Sequence, residues 1–327
     1  MTTPYIVAEI SCNHLGSIDR ALALIDAASH AGADAVKFQC WKDGMMCLGD
    51  YTIEGTAWAG DRMRDLYRDA WTPWEWFPKL FDYARRVGID CFASVFDHES
   101  LAFLETLNCP RYKIASFEIV DLPLIEAVAK TGKPIVISTG MAGKAEIDAA
   151  FAATCRVNKH LDVTLLKCTS AYPATAAGAN LGTMYELGKA GISDHTLGLA
   201  VPVAATALGA TMIEKHLTLK RSDGGPDAAF SSEPHEFRAM VDACREAALA
   251  IGEVRYGPTD AEKPSLQFRR SLYWANRLHP GEYVQRGDLR TARPALGAPP
   301  SDLSRFIGSR VRRAVDFGEP ALLTDID

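Results

Sequence analysis

The chain has 327 residues, 48% of them hydrophobic and 23% charged, with 35 basic against 41 acidic side chains and a formal net charge of −6. That balance excludes a disordered, collagen-like or coiled-coil chain. It carries no basic excess pointing to nucleic acid or a membrane surface, yet leaves room for a small anion held by clustered lysines.

In chain order, short β-rich runs alternate with longer helical patterns. Strands are predicted at 5–11 (YIVAEIS), 35–39 (AVKFQ), 90–94 (DCFAS), 111–115 (RYKIA), 134–138 (PIVIS), 163–168 (VTLLKC), 191–193 (GIS) and 211–216 (TMIEKH). Helical spacing is predicted at 19–31, ending at Gly32, and at 74–87, 122–131, 144–153, 201–208 and 234–252. Thr72-Pro73 reads as a cap and first turn for the helix at 74–87. The excursion 42–65 (KDGMMCLGDYTIEGTAWAGDRMRD) is long enough to be a lid. Eight strands alternating with helices predict an α/β fold, a closed (β/α)8 TIM barrel over 1–258. An open doubly wound sheet would need a glycine-rich phosphate loop after the first strand, and Cys12-Asn13-His14-Leu15-Gly16 is not one. After Gly257-Pro258 the runs shorten between turns, so 265–327 reads as a small second domain. The eight cysteines form no C-x-x-C pair and read as reduced, buried thiols. MTTPYIVAEIS lacks the basic start and apolar core of a signal peptide, and no run of about 18 apolar residues occurs, so a cytoplasmic protein with no membrane partner is expected.

In a βα-barrel, function gathers at the carboxyl ends of the strands. Here those ends carry Glu9, Lys37 and Gln39, Ser94, Lys113 with Ser116 and Glu118, Ser138, then Lys167 with Ser170 and Tyr172, then Ser193 and His195, and finally Glu214 and His216. His195 and His216, on adjacent strands, read either as hydrogen-bonded rim histidines or as a weak two-residue site for Mg2+ or Mn2+ completed by substrate. An inward lysine is costly unless it meets an anion. Lys37 and Lys113 therefore either pair with Glu9 or Glu118, or join Ser94, Ser116, Ser138 and Ser193 in a phosphate and carboxylate cradle. Glu9 and Glu118 suit acid–base work, sugar hydroxyls or salt bridges. Asp227 lies in a Gly-Pro turn after the last strand, and Trp71, Trp74 and Trp76 read as helix packing.

VAEISCNHLG, ADAVKFQ, YKIASFE, VISTGM, KCTSAYP, ISDHTLG and IEKHLTL resemble, in order and on nearly every predicted strand, the motifs of the sialic acid synthase family. These enzymes condense phosphoenolpyruvate with an amino-sugar aldehyde. FEIVDLPLIEAVAKTGKPIVISTGMA, KCTSAYPA and LTLKRSDGGPDAAFSSEP resemble the family's pseudaminate-forming branch, which uses 2,4-diacetamido-2,4,6-trideoxy-β-L-altropyranose. Other branches make N-acetylneuraminate, legionaminate or a spore-coat sugar. RRSLYWANRLHPGEYV through RTARPALG resembles the family's antifreeze-like (SAF, β-clip) tail.

The resemblance implies catalytic Glu9 and Glu118. It implies a phosphoenolpyruvate site of Lys37, Ser94, Lys113, Ser116, Ser138, Ser170 and Ser193, and a divalent metal (Mn2+ or Mg2+) on His195 and His216. Gln39, Tyr172 and Asp227 would meet the sugar. Arg293 would join them from a partner's tail in a domain-swapped homodimer. The sequence departs from the family pattern at Ser94-Val95, where a proline usually follows, at Leu15 after His14, and in RPALG. Two rival readings are a Schiff-base aldolase using Lys113 or Lys167 and a non-catalytic carbohydrate-binding barrel.

Overall fold

The computed structural model of the chain describes residues 3–188 and 190–327. The chain divides into two compact units between Gly252 and Glu253. In the first, the strands are β1 (Tyr5–Glu9), β2 (Ala35–Cys40), β3 (Asp90–Val95), β4 (Tyr112–Ile114), β5 (Ile135–Ser138), β6 (Val163–Cys168), β7 (Ala190–Asp194) and β8 (Met212–His216). Each pairs in parallel with the next, and β1 closes on β8, so the expected (β/α)8 barrel is formed. The strands are buried on both faces because the barrel interior lies on one side and helices cover the other. β7 reads weakly in the sequence for a packing reason. A Cβ on Gly191 would collide with the Met212 backbone carbonyl, so this position needs glycine.

The helices of the first unit are α1 (Ile18–His30), α2 (Met63–Ala70), α3 (Phe77–Val87), α4 (His98–Thr106), α5 (Leu122–Lys130), α6 (Lys144–Val157), α7 (Ala200–Ala207) and α8 (Pro234–Ile251). In α1 the Ser17 side chain caps Arg20 N, and Ala21, Leu24, Ile25 and Ala28 form the buried stripe. Its backbone stops at Gly32, whose φ of +83° suits glycine. α4, which the periodicity did not predict, is started by a reciprocal Asp97–Ser100 capping box. α2 was also unpredicted; it has no fully buried residue and therefore no complete apolar stripe.

One local expectation is corrected. Thr72 does not cap the helix that follows: α3 begins at Phe77 after a 3-10 turn over Trp74–Trp76. Thr72 is buried instead, with its hydroxyl 3.1 Å from His14 Nε2. Because His14 Nδ1 accepts from Gly16 N at 3.1 Å, Nε2 is the donor to Thr72. The excursion after β2 is an ordered hairpin-like loop running into α2, with Thr52 bridged to Arg62 and Ile53 N donating to Asp61 O at 2.9 Å. Among the described residues no helix is long and apolar enough to cross a membrane.

The second unit is built on β9 (Ser271–Trp274) and β10 (Leu289–Ala292), which pair antiparallel, with a short helix α9 (Leu303–Phe306). Its own core includes Leu272, Trp274, Val284, Phe306, Val311 and Val315. A Cβ on Gly297 would collide with the Leu272 carbonyl, which explains the final glycine of RPALG. The division lies a few residues before the expected 258–265 boundary. There α8 stops at Ile251 and Gly252 turns the chain with φ +53°.

Candidate active site

At the carboxyl end of the barrel, four ionisable side chains meet in its interior: Glu9, Lys37, Lys113 and Glu214 are 2%, 3%, 2% and 4% exposed. Strand register places them. Glu9 pairs with Lys37 across β1 and β2, Ser94 with Lys113 across β3 and β4, and Ser193 with Glu214 across β7 and β8. Lys37 forms an ion pair with Glu9 and lies 3.7 Å from Glu214. It also donates to Ser94 Oγ at 3.0 Å. Lys113 lies 3.5 Å from Glu214 and so meets that carboxylate, not Glu118. Ser193 Oγ donates to Glu214 at 2.8 Å, and Gln39 Nε2 to Glu9 at 3.0 Å.

Burial pushes Glu9 up, against the pull of Lys37. Burial also opposes ionisation of Glu214, but Lys113 and Lys37 outweigh it and hold that carboxyl well below the usual range. Lys113 is pushed down by burial, with Glu214 partly compensating. Lys37 is therefore largely committed to carboxylates, whereas Lys113 has hydrogen-bonding capacity to spare for an anion. Glu214 is the residue that sequence reading placed on the rim but did not assign. Its signal was the i, i+2 spacing with His216, which puts both on one strand face.

Hydroxyls complete the floor. Ser138 Oγ is buried and has no partner. Ser116 Oγ accepts from Gly140 N at 3.1 Å. A Cβ on Gly140 would strike the Ser116 and Ser170 hydroxyls, so the glycine keeps a polar recess open. Ser170 stands behind this wall, with its Oγ 3.7 Å from Cys168 Sγ.

His195 and His216 lie side by side, with ring centroids 5.4 Å apart. His195 Nδ1 is 3.1 Å from Thr169 O, which can only accept, so the neutral ring protonates Nδ1 and leaves Nε2 with a lone pair. Burial is the main cause that keeps His216 neutral. His216 Nδ1 is buried without a hydrogen-bond partner, 3.6 Å from Asp227 Oδ2. Ser11, at φ +46°, aims its hydroxyl at the same Oδ2 and donates at 2.6 Å. The lone pair of His195 Nε2 and the unpartnered Nδ1 of His216, beside a carboxylate, are donor types a divalent cation takes. Among the described residues no group of three or more His, Cys, Asp and Glu could hold a metal.

One cavity of about 420 Å³ joins these parts. Of the residues expected in the site, Glu9, Lys37, Gln39, Ser94, Lys113, Ser116, Glu118, Ser138, Tyr172, Ser193, His195, His216 and Asp227 line it. Ser170 does not, and Arg293 is an exposed residue of the second unit. Glu118 is pushed up to about 7 by burial, opposed by Lys113, and its Oε2 is buried with no partner. Lys167 is turned away, donating to Cys168 O at 2.8 Å and Thr169 Oγ1 at 3.1 Å. Trp74 stacks on Phe103 at 4.4 Å and Trp76 packs edge-on to His14 at 5.5 Å, as helix packing requires. Trp41 and Trp58 line the cavity, and the sequence singled out neither; Trp58 is the one beside Tyr172. Its ring is 5.2 Å from Tyr172, and Tyr172 is 4.4 Å from His195.

A parallel βα-barrel whose strand ends gather two buried ammonium groups, serine hydroxyls and a histidine pair in one cavity has the make-up of a barrel enzyme. The chain belongs to the NeuB family, whose pattern matches residues 24–256, and a SAF domain matches residues 269–327. It is similar to the pseudaminic acid synthase of Helicobacter pylori, at 41% identity over 99% of this chain and 98% of that protein. The pseudaminic acid synthase of Campylobacter jejuni strain 81-176 is 37% identical over 96% of this chain and 94% of its own. Among solved structures, the N-acetylneuraminic acid (sialic acid) synthetase of Leptospira borgpetersenii in complex with citrate superposes with a TM-score of 0.72. It is 30% identical and covers 82% of this chain and 92% of that one.

Proposed function

We propose that this enzyme condenses phosphoenolpyruvate with 2,4-diacetamido-2,4,6-trideoxy-β-L-altropyranose and water to give pseudaminic acid and phosphate, a carbon–carbon bond-forming transferase reaction. One observation carries the reading. A single cavity joins an ammonium-and-hydroxyl floor to a histidine pair, in a chain similar to pseudaminic acid synthases over nearly its whole length.

Lys113 and Lys37, with Ser94, Ser116, Ser138 and Ser193, bind the phosphate and carboxylate of phosphoenolpyruvate, and Ser170 backs them. Gln39, Tyr172 and Asp227 orient the open-chain sugar, with Arg293 contributed by the partner's tail in a homodimer. His195 and His216 would hold Mn2+ or Mg2+, which when bound polarises the aldehyde oxygen as a Lewis acid. Carbon 3 of phosphoenolpyruvate bonds to the aldehyde carbon, water adds at carbon 2, and the bond from carbon 2 to the bridging oxygen breaks, so phosphate leaves. Glu118, protonated up to about pH 7 and with a free Oε2, is placed to hand over or accept a proton, and Glu9 shares that role through its link to Lys37. Most of the acceleration comes from positioning and preorganised charge.

Mass spectrometry of the product, with oxygen-18 in the bridging position of phosphoenolpyruvate, tests the reading. The nine-carbon pseudaminate is expected, with the label in phosphate. Label retained in the keto acid rules out this bond cleavage, and preferential use of N-acetylmannosamine moves the chain to the neuraminate branch.

The pH dependence has a definite sign. Above about 7 Glu118 becomes an anion facing the anion site, so affinity for phosphoenolpyruvate is expected to fall as pH rises through that value. Glu118→Gln should remove this inflection, while the ligand's own ionisation affects both proteins alike. Identical pH profiles of KM for the two proteins would exclude the effect.

A further inference from the structure

The excursion after β2 and the helix α2 it runs into supply a largely apolar wall to the cavity. Ile53, Trp58, Met63, Leu66 and Tyr67 line it, with Thr56 the polar exception beside Trp58. The one polar atom of the Trp58 side chain is already satisfied, since Nε1 donates to Pro226 O at 2.9 Å. That bond ties the excursion to the loop carrying Asp227, and Trp58 faces the cavity with its ring. The ring lies 5.2 Å from Tyr172 and 6.3 Å from Phe230, and Phe230 is 5.1 Å from His216. Trp58 therefore borders Tyr172 and Phe230, the two rings that pack on the histidine pair where the sugar is proposed to react.

We propose that this wall, centred on Trp58 with Ile53, Met63 and Leu66, is the element that selects the sugar. It seats the carbon-6 methyl and the acetamido methyl groups of a deoxy, diacetamido aldehyde. It discriminates against a hexosamine that puts hydroxyls at carbons 4 and 6, because those hydroxyls would lose water against side chains that cannot hydrogen-bond them. The inference rests on the reaction proposed above and names the part of the site that sets its substrate. Apolar pockets discriminate single methyl or hydroxyl differences by about 10- to 200-fold, which sets the scale of the effect.

The test is the ratio of kcat/KM for 2,4-diacetamido-2,4,6-trideoxy-altrose over that for N-acetylmannosamine, with phosphate release as the readout. Ile53→Asn and Leu66→Asn are expected to lower this ratio about tenfold or more while the KM for phosphoenolpyruvate stays within about twofold. Trp58→Phe, which keeps an apolar ring but loses the bond to Pro226, should retain the wild-type ratio. If the Asn variants lose activity equally on both sugars, the wall is only structural and the proposal fails. It also fails if Trp58→Phe lowers the ratio as far as the Asn variants do. A wild-type preference for N-acetylmannosamine would overturn the assigned reaction, whereas the wall is judged separately, by whether the variants move the ratio.

Discussion

Replacing Glu214 with leucine is expected to destabilise the fold by about 3–5 kcal/mol, the usual consequence of removing one partner from a buried ion pair. Glu214 is the carboxylate between Lys37, at 3.7 Å, and Lys113, at 3.5 Å, and it is only 4% exposed. Without it Glu9 still compensates Lys37, but Lys113 is left buried with no carboxylate. Urea denaturation measures the loss, and Glu214→Gln separates lost charge from lost shape. Inorganic phosphate should raise the midpoint of Glu214→Leu more than that of the wild type, because an anion can replace the missing charge. A loss below about 1 kcal/mol would mean that the lysines do not depend on this carboxylate. The pH dependence agrees in sign. Glu214 is held below its unfolded range, so its contribution is fully present above that range and is lost as pH falls from there to about 2.

The second large effect concerns the histidine pair. Removal of divalent ions by a chelator is expected to abolish turnover, and Mn2+ or Mg2+ should restore it. His216→Ala should lower kcat about 10³-fold, equivalent to several kcal/mol of electrophilic assistance. His216 contributes one ring to a cavity wall, so the variant should keep its barrel, and near-wild-type unfolding would confirm that the loss is chemical. Full activity in chelator removes the metal role, and the pair would then act only through hydrogen bonds.

The barrel was legible because each buried parallel strand reads as a short apolar run ending in polar residues. Even β7 was visible despite Gly191, a residue required by close strand packing. α2 and α4 were not visible. α2 carries four charges in eight residues and buries none fully, and α4 announces itself mainly through its cap. The lining of the cavity was legible residue by residue, since 13 of the expected side chains face it. Its partnerships were not. Sequence reading offered Lys113 either Glu9 or Glu118, whereas the structure gives it Glu214. Trp58 had no readable signal, because it lies in an aperiodic excursion and acquires its neighbours Tyr172, Pro226 and Phe230 only by folding.

Strand order and side-chain alternation are local properties, so the sequence by itself determined which groups stand at the mouth of the barrel. Lys113 and Glu214 come from β4 and β8, which are not neighbours in the sheet. They meet only because the sheet closes and directs side chains across a common axis. Closure also excludes water, and that sets the charge states: Glu214 stays ionised between two lysines, while Glu118 keeps its proton up to about pH 7. Such pairings depend on distance through space and on the loss of solvent, quantities that only the tertiary structure decides.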